Sequence, residues 1–129
     1  MAERLIIKKR IDAPYVLLDS IEGYGEITGK SYPPDVSSFY NPLIEWFESY
    51  KKDISTEFEL NIKLDYVNTA SLKLLMDLMY KIEEAVLLGK DILIKWFYPD
   101  DDPEMIEIGE EFERLVKVNF LQICYQKEY

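Results

Sequence analysis

The chain has 129 residues, of which 48% are apolar, 25 are acidic and 15 are basic, with one cysteine and no histidine. A chain of this length can bury a substantial core without metal or disulfides, so we predict one domain over residues 1–129. The absence of histidine excludes a Ser-His-Asp triad, a histidine general base and an imidazole zinc site. The net charge of −10 argues against nucleic-acid binding, because phosphate contacts need clustered lysine and arginine.

Apolar periodicity in the first part of the chain predicts strands followed by a helix. Short apolar runs predict three strands, with a hairpin turn at the glycines around Tyr24, over residues 5–7, 15–18 and 26–28. Apolar residues spaced three and four apart predict a helix over residues 36–51. Trp46 and Tyr50 lie at the edge of its apolar stripe. We interpret them as core residues, with a protein interface as the alternative.

Strands and helices alternate through the rest of the chain. Strict alternation over residues 58–66 predicts a strand with one buried and one hydrated face. A second helical stripe follows and ends before Gly89, and residues 92–98 predict a central strand. Residues 102–104 predict the start of a third helix, and residues 116–120 predict a last strand. This order favours an α/β fold with a small mixed β-sheet and helices mainly on one face.

Cysteine content and apolar runs bear on the cellular compartment. Cys124 is the sole cysteine and lies in an apolar stretch, so we expect a buried structural thiol and a reducing compartment. The N-terminus has no apolar region of signal-peptide length, and the longest apolar runs are too short to span a membrane. We therefore expect a cytoplasmic protein without membrane insertion.

No catalytic residue, metal site or cofactor site stands out in the sequence. The acidic tract 100–102, with Glu104 beyond it, lacks the alternating ligands and turn glycine of a calcium loop, so we interpret it as a helix cap. No glycine-rich phosphate-binding loop occurs. Nothing marks a carboxylate pair for acid–base catalysis among the 25 acidic residues. We therefore predict a protein that is not an enzyme and needs no cofactor.

The junction Asn68-Thr69-Ala70-Ser71 places hydroxyls and an amide where a predicted strand ends and a helix starts. Free N–H groups and the positive end of a helix attract anionic oxygen, and Lys73 one turn further on adds positive charge. Ligands of open α/β folds also bind beyond the carboxyl ends of strands. Thr69 or Asn68 could equally be an ordinary N-cap. An exposed threonine here would be an effective switch, because a phosphate adds about −1.5 to −2 charge beside N–H donors.

Several residue runs carry a resemblance to a known family. They are residues 13–16 with the turn 29–33, residues 39–43 with Trp46, and residues 64–73, which are the most specific. Trp96-Phe97-Tyr98 followed by acidic residues fits the same order. Over nearly the whole chain, the sequence resembles the SiaC-type regulatory phosphoproteins of bacteria. The resemblance implies a fold like that of anti-sigma-factor antagonists, the STAS domains, with a small sheet and helices packed mainly on one side.

The resemblance also implies a function. The protein would be a non-enzyme that a partner kinase phosphorylates and a PP2C-type phosphatase dephosphorylates. Its unphosphorylated form would bind and activate a diguanylate cyclase, which links the switch to cyclic di-GMP and biofilm control. The phosphorylated threonine of the family lies in an Asn-Thr-Ser-Ser run, which matches Thr69, with Ser71 as a weaker candidate and Ala70 in place of the first serine. The expected switch and partner surface comprises Tyr66, Asn68, Ser71 and Lys73.

Two alternatives stay open at this point. The chain could be a binding module of the same fold that no kinase modifies and that takes a ligand or partner at the same crevice. It could also be a small enzyme that uses carboxylates. A pocket with two close acids of split pKa would favour the enzyme, whereas a flat, solvated Thr69 region would not.

Overall fold

A computed structural model describes residues 4–52 and 57–127 of the chain. The described part contains six strands and three helices. In chain order they are β1 (Leu5–Ile7), β2 (Tyr15–Asp19), β3 (Tyr24–Ser31), α1 (Val36–Tyr50), β4 (Glu57–Val67), α2 (Thr69–Leu87), β5 (Asp91–Pro99), α3 (Pro103–Leu115) and β6 (Asn119–Tyr125). The predicted alternation of strands and helices is confirmed.

The strands form one mixed sheet in the order β1-β2-β3-β4-β5-β6. The pairs β1–β2 and β2–β3 are antiparallel, whereas β3–β4, β4–β5 and β5–β6 are parallel. Each parallel step needs a crossover, which α1, α2 and α3 supply in turn. The predicted α/β class with a mixed sheet is confirmed. As a result, the carboxyl ends of β3, β4, β5 and β6 all lie at the same edge of the sheet.

Turn and cap residues explain where several elements begin and end. Gly23 adopts a φ of 67°, which glycine tolerates, and it closes the predicted hairpin between β2 and β3. α2 ends just before Gly89, whose φ is 103°. At the start of α3 the Asp102 carboxylate accepts a hydrogen bond of 3.1 Å from the Met105 N–H, and Pro103 follows as the first helical residue. The predicted cap at residues 102–104 is confirmed.

The core lies on one face of the sheet, under all three helices. Apolar side chains of β4 alternate with polar ones, and the buried members are Phe58, Leu60, Ile62 and Leu64. Trp46 and Tyr50 of α1 are buried and stacked, with ring centroids 5.2 Å apart, so their interpretation as core residues is confirmed. α3 packs on the same face through the contact between Phe112 and Trp96. The opposite face of β4 is polar, as its alternation predicted.

Two sequence predictions near the C-terminus are wrong. The last strand spans Asn119–Tyr125 and not residues 116–120, because Val116 is the C-cap of α3 and donates its N–H to the Phe112 carbonyl at 3.1 Å. Cys124 is exposed and not buried, because β6 is an edge strand with β5 on one side only. Among the described residues, no helix is long and apolar enough to cross a membrane.

Candidate functional site

The predicted junction lies at the edge of the sheet where the parallel strands end. β4 ends at Val67 and α2 begins at Thr69, so Asn68 alone separates strand from helix. β3 ends beside it, since the Asn68 N–H donates to the Ser31 carbonyl at 3.0 Å. α1 and α3 also begin at this edge, after β3 and β5 respectively. Three helix starts and four strand ends therefore lie in one region.

Asn68 is the N-cap of α2. Its backbone is extended, and its side-chain oxygen accepts a hydrogen bond of 2.8 Å from the Ser71 N–H. Of the two cap candidates in the sequence, the structure therefore selects Asn68. Thr69 is the first helical residue and its side chain is exposed. Because Asn68 performs the capping, Thr69 is not required as a helix cap.

Three buried hydroxyl groups, which we call the hydroxyl cluster, lie beneath this junction. The Ser31 hydroxyl lies 2.6 Å from the Tyr40 hydroxyl and donates to the Ser71 hydroxyl at 2.9 Å. Ser71 in turn donates to the Ser31 carbonyl at 3.2 Å. Burial raises the pKa of Tyr40 to about 12, so this phenol is neutral at physiological pH. The cluster ties the first turn of α2 to the end of β3 and to α1.

The predicted surface residues divide into an exposed set and one buried residue. Thr69, Lys73 and Tyr66 are exposed, and Asn68 is half-buried. Ser71 is fully buried, so its prediction as a surface residue is wrong. The reason is helical geometry, because a residue two positions after Thr69 lies about 200° around the helix axis from it. This burial also argues against Ser71 as a phosphate acceptor, since a kinase could reach it only by opening the helix start.

Ala70 stands where the resembled family has a serine, and its side chain is exposed. A hydroxyl at this position would face solvent, whereas the hydroxyl at position 71 belongs to the buried cluster. The missing hydroxyl at position 70 therefore leaves the helix cap and the hydroxyl cluster intact.

Beside the junction lies a cleft that sequence analysis did not predict, and which we call the tyrosine cleft. Its volume is about 540 Å³, and it is lined by Lys30, Tyr32, Asp65, Tyr66, Pro99, Asp102, Tyr125 and Lys127. Tyr32 and Tyr66 make an edge-to-face contact with centroids 5.8 Å apart. The signal in the sequence is a tyrosine at or next to the end of β3, β4 and β6, but only the strand order brings these residues together.

Charged groups surround Tyr125 in this cleft. The Lys63 ammonium lies 4.4 Å from the centroid of the Tyr125 ring. Burial raises the pKa of the Tyr125 phenol, and the nearby carboxylates of Asp65, Asp102 and Asp101 raise it further. In residues 4–52 and 57–127, no group of three or more histidine, cysteine, aspartate or glutamate side chains is placed to hold a metal ion.

Comparison with known proteins gives a consistent result for sequence and structure. The sequence matches the model of the SiaC family regulatory phosphoprotein over residues 7–125. It is 31% identical over 99 residues to an uncharacterised protein of Pseudomonas aeruginosa strain UCBPP-PA14, a match that covers 77% of this chain and 79% of that protein. The fold is similar to that of SiaC of Pseudomonas aeruginosa, with a TM-score of 0.87, 28% identity, and coverage of 95% of this chain and 99% of that chain.

The fold is also similar to that of one chain in the crystal structure of the diguanylate cyclase SiaD in complex with its activator SiaC, from Pseudomonas aeruginosa. The TM-score is 0.87 at 28% identity, and the match covers 94% of this chain and 99% of that chain. The fold is that of a small α/β protein with a mixed sheet, and the family match places it among regulatory phosphoproteins. More particularly, the chain belongs to the SiaC family of regulatory phosphoproteins, because the family match spans most of its length.

Proposed function

We propose that this chain is a reversible phosphorylation switch with Thr69 as the acceptor. A protein kinase would phosphorylate Thr69, and a PP2C-type phosphatase would remove the phosphate. The unphosphorylated form would bind and activate a diguanylate cyclase, and would thereby control cyclic di-GMP and biofilm formation in the cytoplasm. The observation that carries the proposal is the exposed Thr69 side chain at the first position of α2, where the family resemblance places the acceptor.

The local electrostatics favour a phosphate at this position. The N-cap of α2 is the neutral Asn68, and its first turn contains no acidic residue, whereas α1 and α3 start from the aspartate caps Asp35 and Asp102. The exposed Lys73 follows Thr69 by one turn. A phosphate on Thr69 would therefore meet the positive end of a helix without a carboxylate in the cap or first turn. The modified helix needs no refolding.

The same phosphate would oppose a partner that fits the unmodified surface. It adds about −1.5 to −2 charge and three acceptor oxygens. A partner surface that matches a neutral hydroxyl would have to bury a hydrated dianion, and an unpaired buried charge costs several kcal/mol. A loss of that size is enough to abolish a contact of micromolar affinity. The switch would thus act on the surface charge and not on the fold.

The choice of partner rests on the comparison with the SiaD–SiaC complex, in which SiaC is the activator of a diguanylate cyclase. The kinase and phosphatase are supported by the description of the family as regulatory phosphoproteins, because reversible phosphorylation requires an enzyme for each direction.

Binding to the diguanylate cyclase SiaD of Pseudomonas aeruginosa, the partner of SiaC in the solved complex, tests the proposal. Isothermal titration calorimetry would compare the unphosphorylated protein, the enzymatically phosphorylated protein, Thr69→Ala and Thr69→Glu. Ser37→Glu is the matched control, because Ser37 is exposed in the first turn of α1 and the substitution adds the same charge at a neighbouring helix start.

We expect phosphorylation and Thr69→Glu to weaken binding by at least about tenfold. Thr69→Ala and Ser37→Glu should bind like the wild type. Equal affinity of the phosphorylated and unphosphorylated proteins would refute the switch, and an equal loss in Ser37→Glu would show that any added charge at this edge has the same effect.

A further inference from the structure

We propose that the tyrosine cleft receives an arginine side chain of a protein partner. Its volume of about 540 Å³ accommodates a long side chain, and it opens next to the exposed ring of Tyr66. Tyr66 precedes Thr69 by three residues, so the cleft adjoins the proposed phosphorylation site. The inference goes beyond the proposed function, because it does not require this partner to be the cyclase, and its test needs neither a partner nor a kinase.

The aromatic walls of the cleft suit a cation. Tyr66 is 51% exposed and Tyr32 is 39% exposed, so much of both rings remains uncovered although they contact each other. The faces of tyrosine rings attract cations through the electrostatic field of the π-system. The protein already shows this behaviour at Tyr125, where the Lys63 ammonium lies 4.4 Å from the ring centroid.

Carboxylates supply the second element of cation recognition. Asp65 lines the cleft, is exposed, and forms no ion pair with residues 4–52 or 57–127. Asp102 lines the cleft as well, and the charges of Asp65, Asp101 and Asp102 all act on the phenol of Tyr125. The Asp102 carboxylate already caps α3, so Asp65, next to the exposed ring of Tyr66, is the carboxylate that is available to a cation.

Lys30 and Lys127 also line the cleft, and the Lys63 ammonium lies over the Tyr125 ring, so the charge of the cleft is not uniform. These lysines would repel a cation that was held by charge alone. A guanidinium has a second mode of binding, because its planar face stacks on an aromatic ring while its edge donates two parallel hydrogen bonds to a carboxylate. This combination of ring and carboxylate is why we assign arginine and not lysine. The net charge of −10 further favours a basic partner segment.

An NMR titration of the full chain with N-acetyl-arginine amide tests the assignment. N-acetyl-lysine amide, N-acetyl-leucine amide and N-acetyl-aspartate amide serve as probes of the other side-chain classes. We expect the arginine probe to shift the ring resonances of Tyr32, Tyr66 and Tyr125 more strongly than the other probes do. A larger response to the aspartate probe would overturn the proposal, since the lysines would then dominate the cleft. An arginine response elsewhere on the protein, or none, would also overturn it.

Variants locate the binding within the cleft. Tyr66→Ala and Asp65→Asn should each weaken arginine binding about threefold. Tyr80→Ala is the matched control, because Tyr80 is exposed on α2 and does not line the cleft. Asp65→Asn changes one exposed side chain, so it remains informative even if Tyr66→Ala impairs folding. Unchanged arginine affinity in Asp65→Asn would contradict the carboxylate's role. The result is independent of Thr69 phosphorylation, so the failure of one proposal is distinguishable from the failure of the other.

Discussion

The hydroxyl cluster provides a sharp test of how the start of α2 is held, through the substitution Tyr40→Phe in two backgrounds. In the wild type, the Tyr40 hydroxyl lies 2.6 Å from the Ser31 hydroxyl, and burial disfavours its charged form. In the double variant Ser31→Ala/Ser71→Ala, both neighbouring side-chain hydroxyls are gone. The same substitution therefore removes a satisfied group in one background and an unsatisfied group in the other.

The two backgrounds should give opposite signs. In the wild type, Tyr40→Phe removes one buried hydrogen bond, and we expect it to lower the free energy of unfolding by about 1 kcal/mol. In the Ser31→Ala/Ser71→Ala background, the phenol is a buried donor without a side-chain partner, which costs about 1–3 kcal/mol. Removing that phenol should therefore raise the free energy of unfolding by a similar amount.

Urea denaturation of the four proteins measures these free energies, provided that the slope with denaturant stays constant. A destabilising effect of Tyr40→Phe in both backgrounds would refute this description of the cluster. Hydrogen exchange of the first-turn amides of α2 gives a local control. Loss of the cluster should raise the exchange rates of these amides more than those of the β4 amides.

Two further predictions concern helix packing and pH. Gly109→Ala should lower stability by about 1–3 kcal/mol in the same assay, because an added Cβ would lie 2.5 Å from Cδ1 of Trp96, whereas Glu110→Ala on the exposed side of α3 should be nearly neutral. Hydrogen bonds from Lys81 and then Lys51 lower the pKa of Glu48 from 4.5 to about 2. Ionised Glu48 therefore stabilises the folded state above pH 4.5, and this contribution is lost as the carboxylate is protonated. The stability difference between wild type and Glu48→Gln should disappear as the pH falls from 4.5 to about 2. An unchanged difference would contradict this ion-pair network.

Local patterns in the sequence were sufficient to predict most of the fold. The alternation in β4, the cap at Asp102 and the stop at Gly89 depend on nearby residues, and the structure confirms all three. The boundary of β6 depends on tertiary packing. Val116 closes α3 and is buried with it, although Val116-Lys117-Val118 alternates like a strand. The predicted burial of Cys124 is wrong for a related reason, since its exposure follows from the edge position of β6.

At the candidate site, too, some features depend on nearby residues and others on tertiary packing. The junction of strand and helix predicts an N-cap at Thr69 or Asn68, and only the structure selects Asn68 and leaves Thr69 exposed. The burial of Ser71 had a signal in the sequence, because Leu75 and Leu78 follow it at helical spacing on the buried stripe of α2. The tyrosine cleft has a weaker signal, a tyrosine at or next to the end of β3, β4 and β6. Its residues come from separate strands, and their proximity follows only from the order of those strands in the sheet.

The most direct test of the central proposal is the intact mass of the protein purified from its native host, with Thr69→Ala purified in parallel. We expect a fraction of the wild type to carry an additional mass of about 80 Da, localised to Thr69 by peptide mapping and absent from the variant. Absence of the phosphate under every growth condition, or its persistence in Thr69→Ala, would contradict the account and leave Thr69 as the first residue of a helix that Asn68 caps.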